Sequence, residues 1–141
     1  MTPETIALIR RQFAATRGME AAFAAAFYAR LFEIDPGLRP LFPHDLSDQG
    51  AKLMKTLSFA VAALDRPEAL QPAVFALGQR HAAYGVTAEM AAPVGAALLD
   101  TLAVALGEGF TPEARDAWTS AYTALVGMMA EGLASAAIAA E

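Results

Sequence analysis

Hydrogen-bonding side chains interrupt otherwise apolar helical stripes at three places: Tyr28, Gln49 and His81. His81 continues the series Leu70, Val74 and Leu77, whose steps of four and three place them on one face of a helix. Gln49 stands one turn before Leu53 and two before Leu57, and Tyr28 is flanked at helical spacing by Ala24, Leu31 and Phe32. An unpaired polar group in an apolar interior is costly, so an imidazole on such a stripe needs a partner. Two uses meet that need: a hydrogen-bonded core histidine, or a ligand to a metal or a haem. The other two residues also have a plain reading. A buried tyrosine commonly keeps its hydroxyl at a rim, and a first-turn glutamine is commonly exposed. Three inward donors on three helices leave a shared ligand pocket open beside these plain readings.

Other chemistries lack their machinery. The histidines are His44 and His81, and there is no cysteine, which is too few ligands for the usual structural zinc site. Disulfides, thiolate metal sites, a cysteine nucleophile and covalent c-type haem attachment are excluded with the cysteines. No His-Glu-x-x-His pair, Gly-x-Ser-x-Gly elbow or phosphate-cradling glycine loop occurs. A net charge of -5 and a pI of about 5.0 argue against a nucleic-acid-binding surface.

The 141 residues are 56% hydrophobic and 18% charged, enough for one domain, spanning 1–141, whose core can exclude water from a pocket. A mean hydropathy of +0.38 raises the question of a membrane segment. Arg30, Lys52, Asp65, Asp100 and Glu131 break the apolar runs below the roughly 18 uncharged residues a span needs. The start, Met1-Thr2-Pro3-Glu4, lacks the layout of a signal peptide. The expectation is a cytoplasmic protein that binds neither membrane nor nucleic acid.

The elements that must position these residues all read as helices. Thr2-Pro3-Glu4 predicts a capped start for a helix reaching about Thr16, with Ile6, Ile9 and Phe13 inward. After Gly18 a second helix runs from Met19 to about Ile34, and Asp35-Pro36 and Arg39-Pro40 punctuate a short turn or helix ending at Leu41-Phe42-Pro43. Ser47 or Asp48 is expected to cap a third through about Leu64. The helix bearing His81 follows Asp65-Arg66-Pro67 and stops at Gly85, a typical left-handed terminator. Another spans about Thr87 to Leu106 with an irregular start at Pro93, and Thr111-Pro112-Glu113 opens the last. Seven or eight unequal helices fit steep ridge-into-groove crossings better than an even bundle, so the class is an irregular all-α fold.

At this point the chain resembles a globin. The likeness is carried by Phe27-Tyr28-Ala29-Arg30-Leu31-Phe32 with Asp35-Pro36 and Leu41-Phe42, by Asp48-Gln49-Gly50-Ala51-Lys52-Leu53-Met54, by Leu77 to Val86, and by Phe110-Thr111-Pro112-Glu113-Ala114-Arg115 through Tyr122. It covers almost the whole chain in order and is nearest to single-domain bacterial globins, the globin part of flavohaemoglobins, and neuroglobin. The spacing of Gln49 and His81 matches that family's distal and proximal positions without a gap.

The resemblance implies a globin fold around non-covalent haem b. His81 would be the proximal iron ligand, with its other ring nitrogen donating to a carbonyl of the preceding turn such as that of Leu77. Phe42 would wedge against the haem, Tyr28 and Gln49 would be the distal polar pair, and Leu53 would limit space over the iron. Val86 would complete the haem contacts, and Lys52 and Arg80 would reach its propionates. The ligands implied are O2, CO and NO. Both distal residues can donate to an oxygen ligand that carries partial negative charge, while carbon monoxide benefits less. Glutamine is a poor iron ligand, so the resting haem should be five-coordinate or hold water; His44 is an alternative sixth ligand.

Oxygen binding, storage or transport is the first function this implies. Nitric oxide dioxygenation with a separate reductase is the second, since no flavin or nicotinamide domain occurs within the 141 residues. A haem-free or sensing module is a third class, against which His81 and the absence of an output domain both weigh. The tyrosine and glutamate that flavohaemoglobins place around the proximal histidine fall near Ala91 and Leu133, with Glu131 close by, and neither is retained. Either a monomer or a homodimer through the alanine-rich last helices is compatible with this reading.

Overall fold

The computed structural model describes the backbone of residues 1–140 and the side chains of residues 1–137. Helix α1 (Pro3–Ala15) begins as expected: the Thr2 hydroxyl accepts from the Thr5 backbone N–H at 3.1 Å, and Pro3 occupies the first turn. Its inner face is Ile6, Ile9 and Gln12 rather than Ile6, Ile9 and Phe13; Phe13 is only partly buried. Gly18, at φ 89°, makes the left-handed break before α2 (Glu20–Ile34). A six-residue 3-10 helix (Pro36–Leu41) follows, and then α3 (Ser47–Ala62).

The expected side-chain cap at Ser47 or Asp48 is not formed. Leu46 holds the capping position, and the Asp45 carboxylate accepts from the Ser47 N–H at 2.9 Å. That hydrogen bond, the largest influence on it, holds the Asp45 carboxyl below its ordinary range. An acid two residues upstream can reach the same unpaired N–H groups, which is why the motif misplaced the cap.

Helix α4 (Pro67–Ala83) carries His81 and ends before Gly85, whose φ of 86° confirms the left-handed stop. A three-residue 3-10 turn (Ala88–Met90) precedes α5 (Ala91–Leu106), the irregular start anticipated at Pro93. Another turn (Gly107–Gly109) leads to α6 (Pro112–Ala140), whose first turn is capped by Thr111 through the Ala114 N–H. With the 3-10 helix at 36–41, the six α-helices make seven principal helices among the described residues, where seven or eight were expected, and no strand occurs among those residues.

Helix α2 packs across α3 and α5, while α1 bridges α3 and α6. Helix α4 rests on α6 and touches the other helices only sparsely. The core is built from Ile9, Leu31, Leu102, Phe23, Phe27, Met54, Leu98 and Trp118. The stretch Ala88–Gly109 is long and apolar enough, by length and composition, to cross a membrane. Here α5 turns Gly95, Ala97, Leu98, Thr101 and Leu102 inward, and Asp100 accepts from Arg30 at 2.9 Å.

Candidate functional site

The site is built from α2, α3 and α4. On α2, Tyr28 is 4% exposed and held by three rings: Phe27, Phe32 and Phe42 lie 5.0, 6.1 and 5.4 Å away, centroid to centroid. Phe42 also packs on Phe32 at 5.5 Å, so the segment after the 3-10 helix is pinned against α2 by its aromatic edge. Arg39 fixes that segment from outside. Its guanidinium lies 5.2 Å from the centre of Phe32 and donates to the carbonyl oxygens of Phe42, Pro43 and His44.

Gly50 sets the spacing of α2 and α3. A Cβ there would sit 3.0 Å from the Cβ of Ala24, so the two backbones approach as closely as they do because the side chain is absent. That close crossing carries half-buried Gln49 to Tyr28. Burial pushes the Tyr28 hydroxyl pKa up, and the Gln49 side chain beside it partly offsets the rise.

On α4, the Nδ1 atom of His81 lies 2.8 Å from the Leu77 carbonyl oxygen. A carbonyl only accepts, so Nδ1 carries a proton, and in the neutral ring that tautomer places the lone pair on Nε2. No protein group bonds Nε2 among the described residues. His81 is half-buried rather than sealed in the core.

A cleft of about 190 Å³ separates α3 from α4, lined by Lys55, Thr56, Phe59, Ala60, Ala73, Val74, Leu77 and Arg80. Leu77 and Arg80 were anticipated from sequence. Lys55, Thr56 and Phe59 were not, although they share the helix that carries Gln49 and Leu53. Lys52 is exposed outside the cleft lining, Leu53 and Phe42 pack partly buried against the core, and Val86 is half-buried just past the end of α4. His44 is exposed, held only through its backbone oxygen. A larger open hollow of about 500 Å³, lined by Arg10, Phe13, Arg17, Ser58, Asp65 and Arg66 among others, contains none of the anticipated residues.

An imidazole with its Nδ1 engaged and its Nε2 free, on a helix parted from its neighbour by a largely apolar cleft, is the donor chemistry that an iron porphyrin requires. The globin family model matches residues 25–129, the segment that contains Tyr28, Gln49, His81 and the lining of the α3–α4 cleft. The chain belongs to the globin family.

Among its relatives, this globin is 34% identical to neuroglobin-1 of Oncorhynchus mykiss over 121 residues, 76% of each chain. It is also 34% identical to a flavohemoprotein of Bordetella parapertussis over 133 residues, 92% of this chain but only 33% of that longer one. In structure it is similar to an engineered carbene transferase made from a candidate nitric oxide dioxygenase of Rhodothermus marinus, with a TM-score of 0.88 and 30% identity, covering 100% of this chain and 99% of that one. A bacterial globin from Campylobacter jejuni shares the fold at a TM-score of 0.85 and 21% identity, covering 95% and 97% of the two chains. A haem cofactor follows from this family membership.

The buried Gln12 escaped the sequence reading. Its Nε2 donates to the Gly109 carbonyl and its Oε1 accepts from the Trp118 indole at 3.1 Å, joining α1, the turn at 107–109 and α6. The signal was present: Gln12 follows Ile9 by three residues on the same stripe. Tyr122 was likewise given no partner. Its hydroxyl donates to the Ala91 carbonyl at 2.6 Å and its ring fills the space beside Gly95.

Proposed function

We propose that this globin holds haem b through His81 Nε2 and binds dioxygen reversibly on the side served by Tyr28 and Gln49. The observation that carries the reading is the engaged Nδ1 of His81, which leaves one nitrogen of fixed tautomer for iron. Bound there, the haem supplies a ferrous iron that takes up small diatomic ligands. Tyr28 and Gln49 contribute hydrogen-bond donors toward such a ligand, each worth about 1 kcal/mol or somewhat more where water is excluded. Phe42 and Leu53 supply apolar walls, and Arg80 and Lys55 offer cations to the propionates, with Lys52 further out on α3. The ordinary pKa of a tyrosine hydroxyl lies well above neutral and burial raises that of Tyr28 further, so it stays protonated and remains a donor.

Purified protein should be red, with a Soret band that shifts on reduction and again on adding carbon monoxide. A protein that takes up no hemin when it is supplied would overturn this reading.

Nitric oxide dioxygenation is the second reading, favoured by the same distal pair and by the likeness over the full chain to the Rhodothermus marinus protein. Haem held by His81 would supply one electron as dioxygen and nitric oxide combine to nitrate, and a separate reductase would have to return that electron. Near the positions where flavohaemoglobins carry their proximal tyrosine and glutamate, Ala91 supplies only a carbonyl to Tyr122, and the exposed Glu131 accepts from Gln71. The imidazole therefore has a neutral carbonyl partner, which supports ligand storage over peroxidase-like chemistry. Nitrate production during turnover with a reductase decides between carriage and dioxygenation.

A further inference from the structure

The helix that carries His81 is seated on the rest of the molecule through two facing glycines. Gly78 of α4 is buried, and a Cβ there would collide with the backbone carbonyl of Met129 and lie 3.2 Å from the Gly132 Cα. The contact is reciprocal: a Cβ on Gly132 would collide with the Phe75 carbonyl and stand 3.0 Å from the Gln79 nitrogen. These neighbours are backbone atoms, so no side chain can swing aside to make room. One turn of α4 is thus pressed on α6, and that turn also contains the Leu77 carbonyl that holds the imidazole. His81 lies three residues beyond Gly78, about 4.5 Å along the helix axis. Since α4 makes only sparse contact elsewhere, the distance from α6 to the imidazole depends on this crossing.

We propose that Gly78 and Gly132 are positioning residues for the axial ligand: their contact sets how far α4, and with it the His81 imidazole, stands from α6. This rests on the reading of His81 as the haem ligand. A methyl group at either glycine must lift α4 away from α6 and tilt or advance the imidazole.

The test uses the full chain supplied with hemin, as wild type, Gly78→Ala, Gly132→Ala and Gly127→Ala. Gly127 lies on α6 with nothing within 4 Å of its would-be Cβ, so its alanine variant is the control. Expected are a shifted iron–histidine stretching frequency in the reduced protein and severalfold faster haem transfer to an acceptor globin for the first two variants only. In a His81→Gly background given free imidazole, Gly78→Ala should no longer shift that frequency, because the ligand is untethered from α4. Wild-type frequency and transfer rate in both variants, with only a lower unfolding midpoint, would make the contact merely structural and overturn the proposal.

Where neither variant folds, hydrogen exchange on the hemin-bound wild type decides. The amides of residues 75–79 should be the slowest of α4; exchange there as fast as at the start of the helix overturns the positioning role. A wild type that takes up no hemin overturns the haem reading and this proposal with it. A red wild type beside unaltered variants overturns this proposal alone.

Discussion

The imidazole Nδ1 of His81 and the carbonyl oxygen of Leu77 stand 2.8 Å apart, one turn from each other on α4. An i to i−4 side-chain bond of this kind joins residues already brought together by the helix, so it orients the ring at little entropic cost. The ring is therefore preset, with Nε2 directed by the helix rather than by a ligand. Replacing His81 by alanine should leave the far-ultraviolet circular dichroism unchanged and yield colourless protein. Full haem retention in His81→Ala would contradict the assignment.

Tyr28→Phe keeps the ring that packs on Phe27, Phe32 and Phe42 and removes only the hydroxyl. Folding stability should change little, while the loss of one donor worth about 1 kcal/mol should speed oxygen release severalfold. Stopped-flow measurement of the dissociation rate checks this; an unaltered rate would mean that the hydroxyl does not reach the ligand.

Gln12→Ala leaves the Trp118 indole N–H and the Gly109 carbonyl without their partner. Stability to urea should fall by about 1–3 kcal/mol, the cost of buried polar groups left unsatisfied. The haem spectrum should be untouched, because neither residue contacts the α3–α4 cleft.

The hydroxyl of Tyr122 is pushed up to about 12 by burial. Its folded pKa thus exceeds the unfolded value of roughly 10. Below that value both states are protonated and its contribution to stability is constant. Between about pH 10 and 12 the unfolded state loses the proton first, so stability declines as pH rises. Tyr122→Phe should lose the bond to Ala91, lowering stability at neutral pH by about 1 kcal/mol. It should also flatten part of the alkaline decline, read from denaturant midpoints across that range.

Helix positions were largely legible because they follow from local causes. Thr2 and Thr111 cap, Pro3 and Pro112 open helices, and Gly18 and Gly85 stop the chain with positive φ. His81 and its Leu77 partner were legible for the same reason, since four residues of one helix fix their proximity. The cap of α3 was misread because Asp45, Ser47 and Asp48 compete for the same N–H groups within four residues.

Pattern also placed Tyr28 and Gln49 on inward faces, but no periodicity reveals which faces meet. Their meeting depends on Gly50 yielding to Ala24, and the seat of α4 depends on Gly78 yielding to Gly132. In the linear chain these glycines look like ordinary breaks in helix propensity; only the crossing of two backbones shows that a missing side chain sets a distance. Gln12 and Tyr122 teach the same lesson, for their partners lie far away along the chain. Local hydrogen bonding and periodicity thus specify the elements and the tautomer of His81. Close packing between helices, which couples residues distant in sequence, sets the cleft they line.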